Sequence, residues 1–197
     1  MTSFLDALNP LVDVFDTYSV AYYIGGSVAT IAHGVPRTTL DVDVIADITL
    51  NHVEPLVTSL ADHFYIQAPD IRDAIIHRSS FNVVHFVTMI KIDVFLAPHR
   101  PFDQSKAQRT QLVQLNSGST RLYRITSAED IIIQKLEWYA AGAYVSERQW
   151  NDIQGVMKIQ GTTLDIAYMR HWANQLQLST LLEKALKDAQ INFDGAL

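Results

Sequence analysis

Tyr23-Ile24-Gly25-Gly26-Ser27, followed after thirteen residues by Asp41-Val42-Asp43, decides how this chain is read. Val20–Ile24 is a short run of branched and aromatic residues, which predicts a strand stopped by the two glycines. Ser27–His33 then predicts a short helix, and Leu40–Ile48 a second strand. Side chains alternate across a strand, so Asp41 and Asp43 share one face while Val42 and Val44 take the other. Two carboxylates so placed repel each other unless a cation lies between them. Hard divalent ions such as Mg²⁺ prefer oxygen donors of this kind. An isolated Asp-x-Asp is nonetheless common on solvated strand edges.

A third acid changes the weighing. Asp93 lies inside Ile90-Lys91-Ile92-Asp93-Val94-Phe95-Leu96, and a carboxylate in so apolar a strand is costly without a partner. Neighbouring strands would bring Asp41, Asp43 and Asp93 to one spot, as two metal ions need when they clamp the attacking and leaving oxygens of phosphoryl chemistry. The Gly25-Gly26-Ser27 turn supplies a complement. Its glycines let the backbone approach a ligand closely, and a helix beginning at Ser27 turns free N–H groups toward a phosphate tail.

Outward from this region the chain continues with a predicted helix over 3–16, another over Val53–His63, strands over Phe81–Val87 and Met89–Leu96, and a short strand near Arg121–Ile125. From Ser127 onward only helices are predicted, near 128–141, 147–159, 165–177 and 180–190. Ser127 with Asp130 and Ser146 with Gln149 have capping-box spacing, and Gly142 and Gly161 suit helix stops. The expected fold is α/β (α+β): a mixed β-sheet flanked by helices over 1–122, then a helical C-terminal domain over 123–197.

Composition bounds the function. With 48% hydrophobic and 18% charged residues the 197-residue chain can bury a core. Its net charge of −6 argues against a nonspecific grip on nucleic acid. The charge is uneven: −8 over residues 1–70, +5 over 71–124 and −3 over 125–197, so an acidic first third adjoins a basic middle with Arg100, Lys106, Arg109, Arg121 and Arg124. The absence of cysteine excludes disulfides, thiolate zinc sites and thiol nucleophiles. No secretory leader or membrane span is read, and the expected setting is the cytoplasm. The seven histidines show no i, i+3 or i, i+4 pair for zinc. Neither a Gly-x-Ser-x-Gly elbow nor a phosphate loop of the Gly-x-x-x-x-Gly-Lys type occurs.

Gly-Ser, a spacer, Asp-x-Asp and a later strand Asp together resemble the signature of nucleotidyltransferases with the DNA polymerase beta-like fold. The stretch from Ser127-Ala128-Glu129-Asp130 through Lys135-Leu136-Glu137-Trp138-Tyr139 to Ser146-Glu147-Arg148-Gln149-Trp150-Asn151-Asp152 looks like a bacterial branch of that superfamily, related to the toxins of abortive-infection systems. The resemblance implies that Asp41, Asp43 and Asp93 hold Mg²⁺ or Mn²⁺, and that Asp93 orients or deprotonates an acceptor hydroxyl. It implies that Gly25, Gly26 and Ser27 hold the phosphates of a nucleoside triphosphate. The reaction implied is attack on the α-phosphate with release of pyrophosphate. The acceptor is left open among a transfer RNA, a protein and a small molecule, and a cognate antitoxin is an implied partner.

Three further residues join the implied nucleotide contacts. Arg37 precedes the Asp-x-Asp strand and would reach a phosphate or pair with an acid. Lys135 has its stem on an apolar helix face, as either a snorkelling lysine or, as in the toxin-like relatives, a phosphate contact. Asp152 is either near the site or an acid favoured by its own helix. Lys91, on the face of Asp93, reads as an ion-pair partner, and the three tryptophans read as core. The alternative function is a catalytically silent nucleotide-binding or antitoxin-like protein of the same fold that acts by binding a partner.

Overall fold

The computed structural model describes residues 4–36, 38–39, 41–97 and 99–191. Arg37 and Leu40 lie outside the described residues, as do Pro98 and the two ends. Two compact units divide the chain: Met1–Val28 with Thr38–Ile125, and Ala29–Arg37 with Thr126–Leu197.

The first unit is built on a seven-stranded mixed sheet. In chain order its strands are β1 (Tyr22–Ile24), β2 (Asp41–Ala46), β3 (Phe64–Tyr65), β4 (Ser80–His85), β5 (Lys91–Leu96), β6 (Gln111–Gln114) and β7 (Leu122–Ile125). Their spatial order is β3-β4-β5-β2-β1-β7-β6. β2 runs parallel to β5 and antiparallel to β1, while β4 is antiparallel to β5. Helices α1 (Phe4–Thr17), α3 (Val53–Leu60), α4 (Ala68–His77) and α5 (Pro101–Gln108) belong to this unit. α2 (Gly26–Ala32) begins in it and ends in the other.

Alternation sorts the central strands into two unlike faces. Val42, Val44 and Ala46 of β2, Ile92, Val94 and Leu96 of β5, and Phe81 and Val83 of β4 are all buried. The opposite face carries Asp41, Asp43, Lys91, Asp93, Ser80 and Asn82, none of them buried. Toward the carboxyl end of β2 that face closes over Ile45 and Tyr23, each 6% exposed. Phe102 and Lys106 of α5 are buried there too, with the Lys106 ammonium 5.9 Å from the Tyr23 ring centre. In the central strands β2, β4 and β5 one face is thus buried and the other carries the acids.

The second unit gathers α6 (Ala128–Ala141), α7 (Glu147–Gln160), α8 (Ile166–Gln175) and α9 (Ser179–Asp188). Both expected serine caps form: Ser127 Oγ accepts from the Asp130 amide at 3.2 Å and Ser146 Oγ from the Gln149 amide at 3.3 Å. Gly161, with φ +52, closes α7. Residues 29–36 join these helices through specific contacts. His33 Nε2 lies 2.7 Å from the Thr126 carbonyl oxygen, and Gln160 Nε2 donates to the His33 carbonyl at 3.1 Å. Gly155 lets Val35 approach so closely that a Cβ there would meet a Val35 methyl at 2.9 Å.

The helical spacing of the tryptophans reads as core, but none of the three is buried, and Trp138 is 36% exposed. Trp138 sits on α6 one position past the buried stripe of Ile131, Ile132, Lys135 and Leu136. Tyr139 packs instead on Trp150, with ring centres 5.1 Å apart, and Lys184 covers the Trp150 ring at 4.0 Å. No helix among the described residues is long and apolar enough to cross a membrane.

Candidate active site

The glycine turn is placed by strand pairing. Ile24 is the register partner of Val44, and the Gly25 amide donates to the Asp43 carbonyl at 3.0 Å. Gly26 then enters α2 with φ +53, a conformation that costs an L side chain roughly 1–2 kcal/mol. Space forbids a side chain as well: a Cβ on residue 26 would fall 1.6 Å from Oδ2 of Asp43. The turn and the second aspartate of Asp-x-Asp are thus packed directly on each other. Ser27, 9% exposed, follows as the second residue of α2.

Thr39 sets the entry of β2. Its hydroxyl donates to the Asp41 carbonyl at 2.7 Å and accepts from the Asp41 amide at 3.3 Å. From there Asp41, exposed, and Asp43, half-buried, project to the open face. β5 meets β2 in parallel register, pairing Asp43 with Asp93 and Asp41 with Lys91. Adjacent strands lie about 4.8 Å apart, so the Asp43 and Asp93 side chains rise side by side. On the far side of Asp93 its register partner is Asn82.

Lys91 organises the charge. Its ammonium reaches Oδ2 of Asp93 at 2.7 Å, with 43% of the lysine and 22% of the aspartate side chain exposed. The hydrogen bond to Asp93 raises the Lys91 pKa above its ordinary value against a smaller effect of burial, and the charges of Asp93, Asp41 and Asp43 add to the rise. One ammonium therefore senses all three carboxylates.

The donor set suits a hard divalent cation: three carboxylates, no sulfur and no imidazole. A glycine whose missing side chain leaves room for Asp43 fits that use. As the side chains stand, no three His, Asp or Glu among the described residues converge closely enough to surround one ion. Asp93 is turned to Lys91 instead of Asp43, and taking up a cation requires that carboxylate to be shared.

Lys135 and Asp152 belong to the second unit, where Lys135 Nζ donates to Asp152 Oδ2 at 2.8 Å and to Gln149 Oε1 at 3.1 Å. Only 3% of the Lys135 side chain is exposed, so the pair is sealed within α6 and α7. Arg37, expected at a phosphate, lies outside the described residues. The basic middle segment is largely spent on internal pairs. Arg100 and Lys106 both hold Asp103, at 2.7 and 3.3 Å, and Arg121 reaches Asp13 at 2.8 Å.

Thr39 and Asn82 were not singled out from sequence, whereas the Lys91–Asp93 pair was expected; the polar alternation Ser80, Asn82 in β4 was the available signal for Asn82. Two cavities of about 530 and 450 Å³ open at the other end of the sheet, around Asp47, Ala97 and His99. None of the three acids lines either one.

No protein-family model matches the chain, and no curated protein matches it with significance. Solved structures do. The solution structure of the antibiotic-resistance factor ANT(2″)-Ia is similar with a TM-score of 0.57 at 13% identity, over 91% of this chain and 95% of that one. The crystal structure of ANT(2″)-Ia in complex with adenylyl-2″-tobramycin is similar with a TM-score of 0.57 at 12% identity, over 89% of this chain and 98% of that one. The chain therefore has the nucleotidyltransferase-type α/β fold, a mixed sheet flanked by helices.

Proposed function

We propose that the chain is a metal-dependent nucleotidyltransferase that moves a nucleoside monophosphate from a triphosphate to an acceptor hydroxyl. The observation that carries the proposal is the register pairing of Asp43 with Asp93, beside a glycine turn packed onto Asp43. A face built only for solubility gains nothing from two carboxylates held side by side, since like charges repel.

In this reading Asp41 and Asp43 hold the divalent cation, Mg²⁺ or Mn²⁺. When bound, that cation supplies positive charge against the charge developing on the phosphates. The backbone at Gly25 and Gly26 and the Ser27 hydroxyl hold the β- and γ-phosphates. Asp93 accepts the proton of the acceptor hydroxyl as its oxygen bonds to the α-phosphorus and the bond to the β-phosphate oxygen breaks, releasing pyrophosphate. Positioning and charge neutralisation do most of the catalysis. Arg37, Lys135 and Asp152 are assigned to the nucleotide by the family resemblance.

A small-molecule hydroxyl is the acceptor best supported. The net charge is −6, and Arg100, Lys106 and Arg121, three of the five basic residues named in the middle segment, are engaged with Asp103 and Asp13. ANT(2″)-Ia, of the same fold, has been solved with an adenylylated antibiotic. A toxin acting on RNA or protein, as the abortive-infection resemblance implies, is the competing role. The test is pyrophosphate release from each of the four triphosphates with Mg²⁺ across aminoglycosides, bulk transfer RNA and lysate protein. Release with a small molecule that is lost in Asp43→Asn supports the proposal. Background release throughout, equal in both proteins, would favour the partner-binding alternative.

A further inference from the structure

Among the described strand residues, Lys91 is the one basic side chain on the face that β1, β2, β4 and β5 share with the acids: Tyr23, Ile45, Ser80, Asn82, Val84 and Phe95 complete it. The lysine lies opposite Asp41 in register and its ammonium sits 2.7 Å from Asp93. An ion pair this exposed contributes little to folding, between about 0 and 1 kcal/mol. Stability is thus a poor reason for placing a lysine among three carboxylates.

We infer that Lys91 is the resident cation of the acid face, holding Asp93 ready and lowering the affinity of the site for free divalent ions until nucleotide phosphates arrive. The inference rests on the function proposed above. The contact of Lys91 with Asp93, opposite Asp41 in register, carries it. Among the described strand residues of this face, three carboxylates and one ammonium sum to −2, so the ammonium offsets part of the attraction for a divalent ion. A second ion would find little attraction until a triphosphate adds its own negative charge. Geometry agrees, because Asp93 cannot join Asp43 around an ion without loosening its contact with Lys91. Lys91 acts in this way as a positioning residue, touching the third acid instead of the substrate.

The experiment measures Mn²⁺ binding to the full chain without nucleotide, by the electron paramagnetic resonance of the free ion, at constant ionic strength. Wild type, Lys91→Gln, Lys91→Arg and Asp43→Asn are compared, with thermal unfolding recorded for each. Lys91→Gln is expected to bind Mn²⁺ about tenfold more tightly than wild type, the effect of removing one nearby charge at intermediate dielectric. Lys91→Arg should behave as wild type, and Asp43→Asn should bind more weakly. Equal or weaker binding by Lys91→Gln, with wild-type binding still lost in Asp43→Asn, overturns the role of Lys91 and leaves the metal site standing. Binding indifferent to Asp43→Asn, or none by any protein at millimolar Mn²⁺, overturns the metal site and this inference with it.

Discussion

Oδ2 of Asp43 occupies the space that a side chain on residue 26 would need, 1.6 Å from the position of a Cβ on Gly26. Strand β2 and the glycine turn therefore form one mechanical piece, and a change in either is felt by the other. Gly26→Ala is expected to abolish nucleotidyl transfer by expelling the Asp43 carboxylate. It should also lower stability by about 1–3 kcal/mol, from the left-handed backbone and the crowding together. Thermal unfolding and Mn²⁺ binding check this; an alanine variant with wild-type Mn²⁺ affinity would refute it.

Asp93→Asn separates chemistry from folding. Removing the proton acceptor should reduce kcat by roughly 10²–10⁴. Stability should move by less than about 1 kcal/mol, because its Lys91 partner is 43% exposed and solvent-screened. Steady-state kinetics beside a urea titration decide it, and a variant that unfolds without losing activity per folded molecule would contradict the assignment.

Much of the arrangement was legible in the sequence because it is written locally. The strand before Gly25-Gly26 and the helix after it, the alternation that puts Asp41 with Asp43, and the caps at Ser127 and Ser146 each depend on a few neighbouring residues. Other elements were missed for equally local reasons. α4 opens on Ala68-Pro69 and holds only Ile71 and Ala74 as buried residues, too thin a stripe to read. α5 buries Asp103 and Lys106 as a pair, so its inward face looks polar. β6 reads Gln-Leu-Val-Gln with no buried residue, as an edge strand can. The pairing of Asp43 with Asp93 was an expectation conditional on neighbouring strands, because register between distant segments leaves no local trace.

The Lys135–Asp152 pair gives a third prediction. Asp152→Ala leaves an ammonium buried without its counter-charge and should cost about 3–5 kcal/mol. The double variant Lys135→Met with Asp152→Leu should recover much of that loss. Urea midpoints measure both, and a cost below about 1 kcal/mol for Asp152→Ala would mean that the pair is hydrated.

Acid sensitivity gives a fourth. Burial lowers the pKa of His33 from the ordinary 6.5, against the raising effects of the Thr126 carbonyl and Glu129. The neutral ring donates through Nε2 to that carbonyl. The unfolded chain thus binds a proton more readily than the folded one between the lowered value and 6.5. Stability is full above about pH 6.5 and is lost as pH falls through that window. His33→Gln should flatten the difference in urea midpoint between pH 7.5 and 5.5. His85, also lowered by burial, acts in the same sense, so part of the slope will persist. An unchanged slope in His33→Gln would show that the ring is already solvated.

The parallel pairing of β2 with β5 joins carboxylates about fifty residues apart. Such a contact forms only after a long loop has closed, at an entropic cost that no local element offsets. A nascent chain that has yet to emit β5 already bears the glycine turn and both early aspartates, yet lacks Asp93, the proton acceptor of the proposed reaction. Under the proposed function, competence for chemistry would thus wait on completion of the sheet, and a chain ending before β5 would be expected to leave nucleotides untouched.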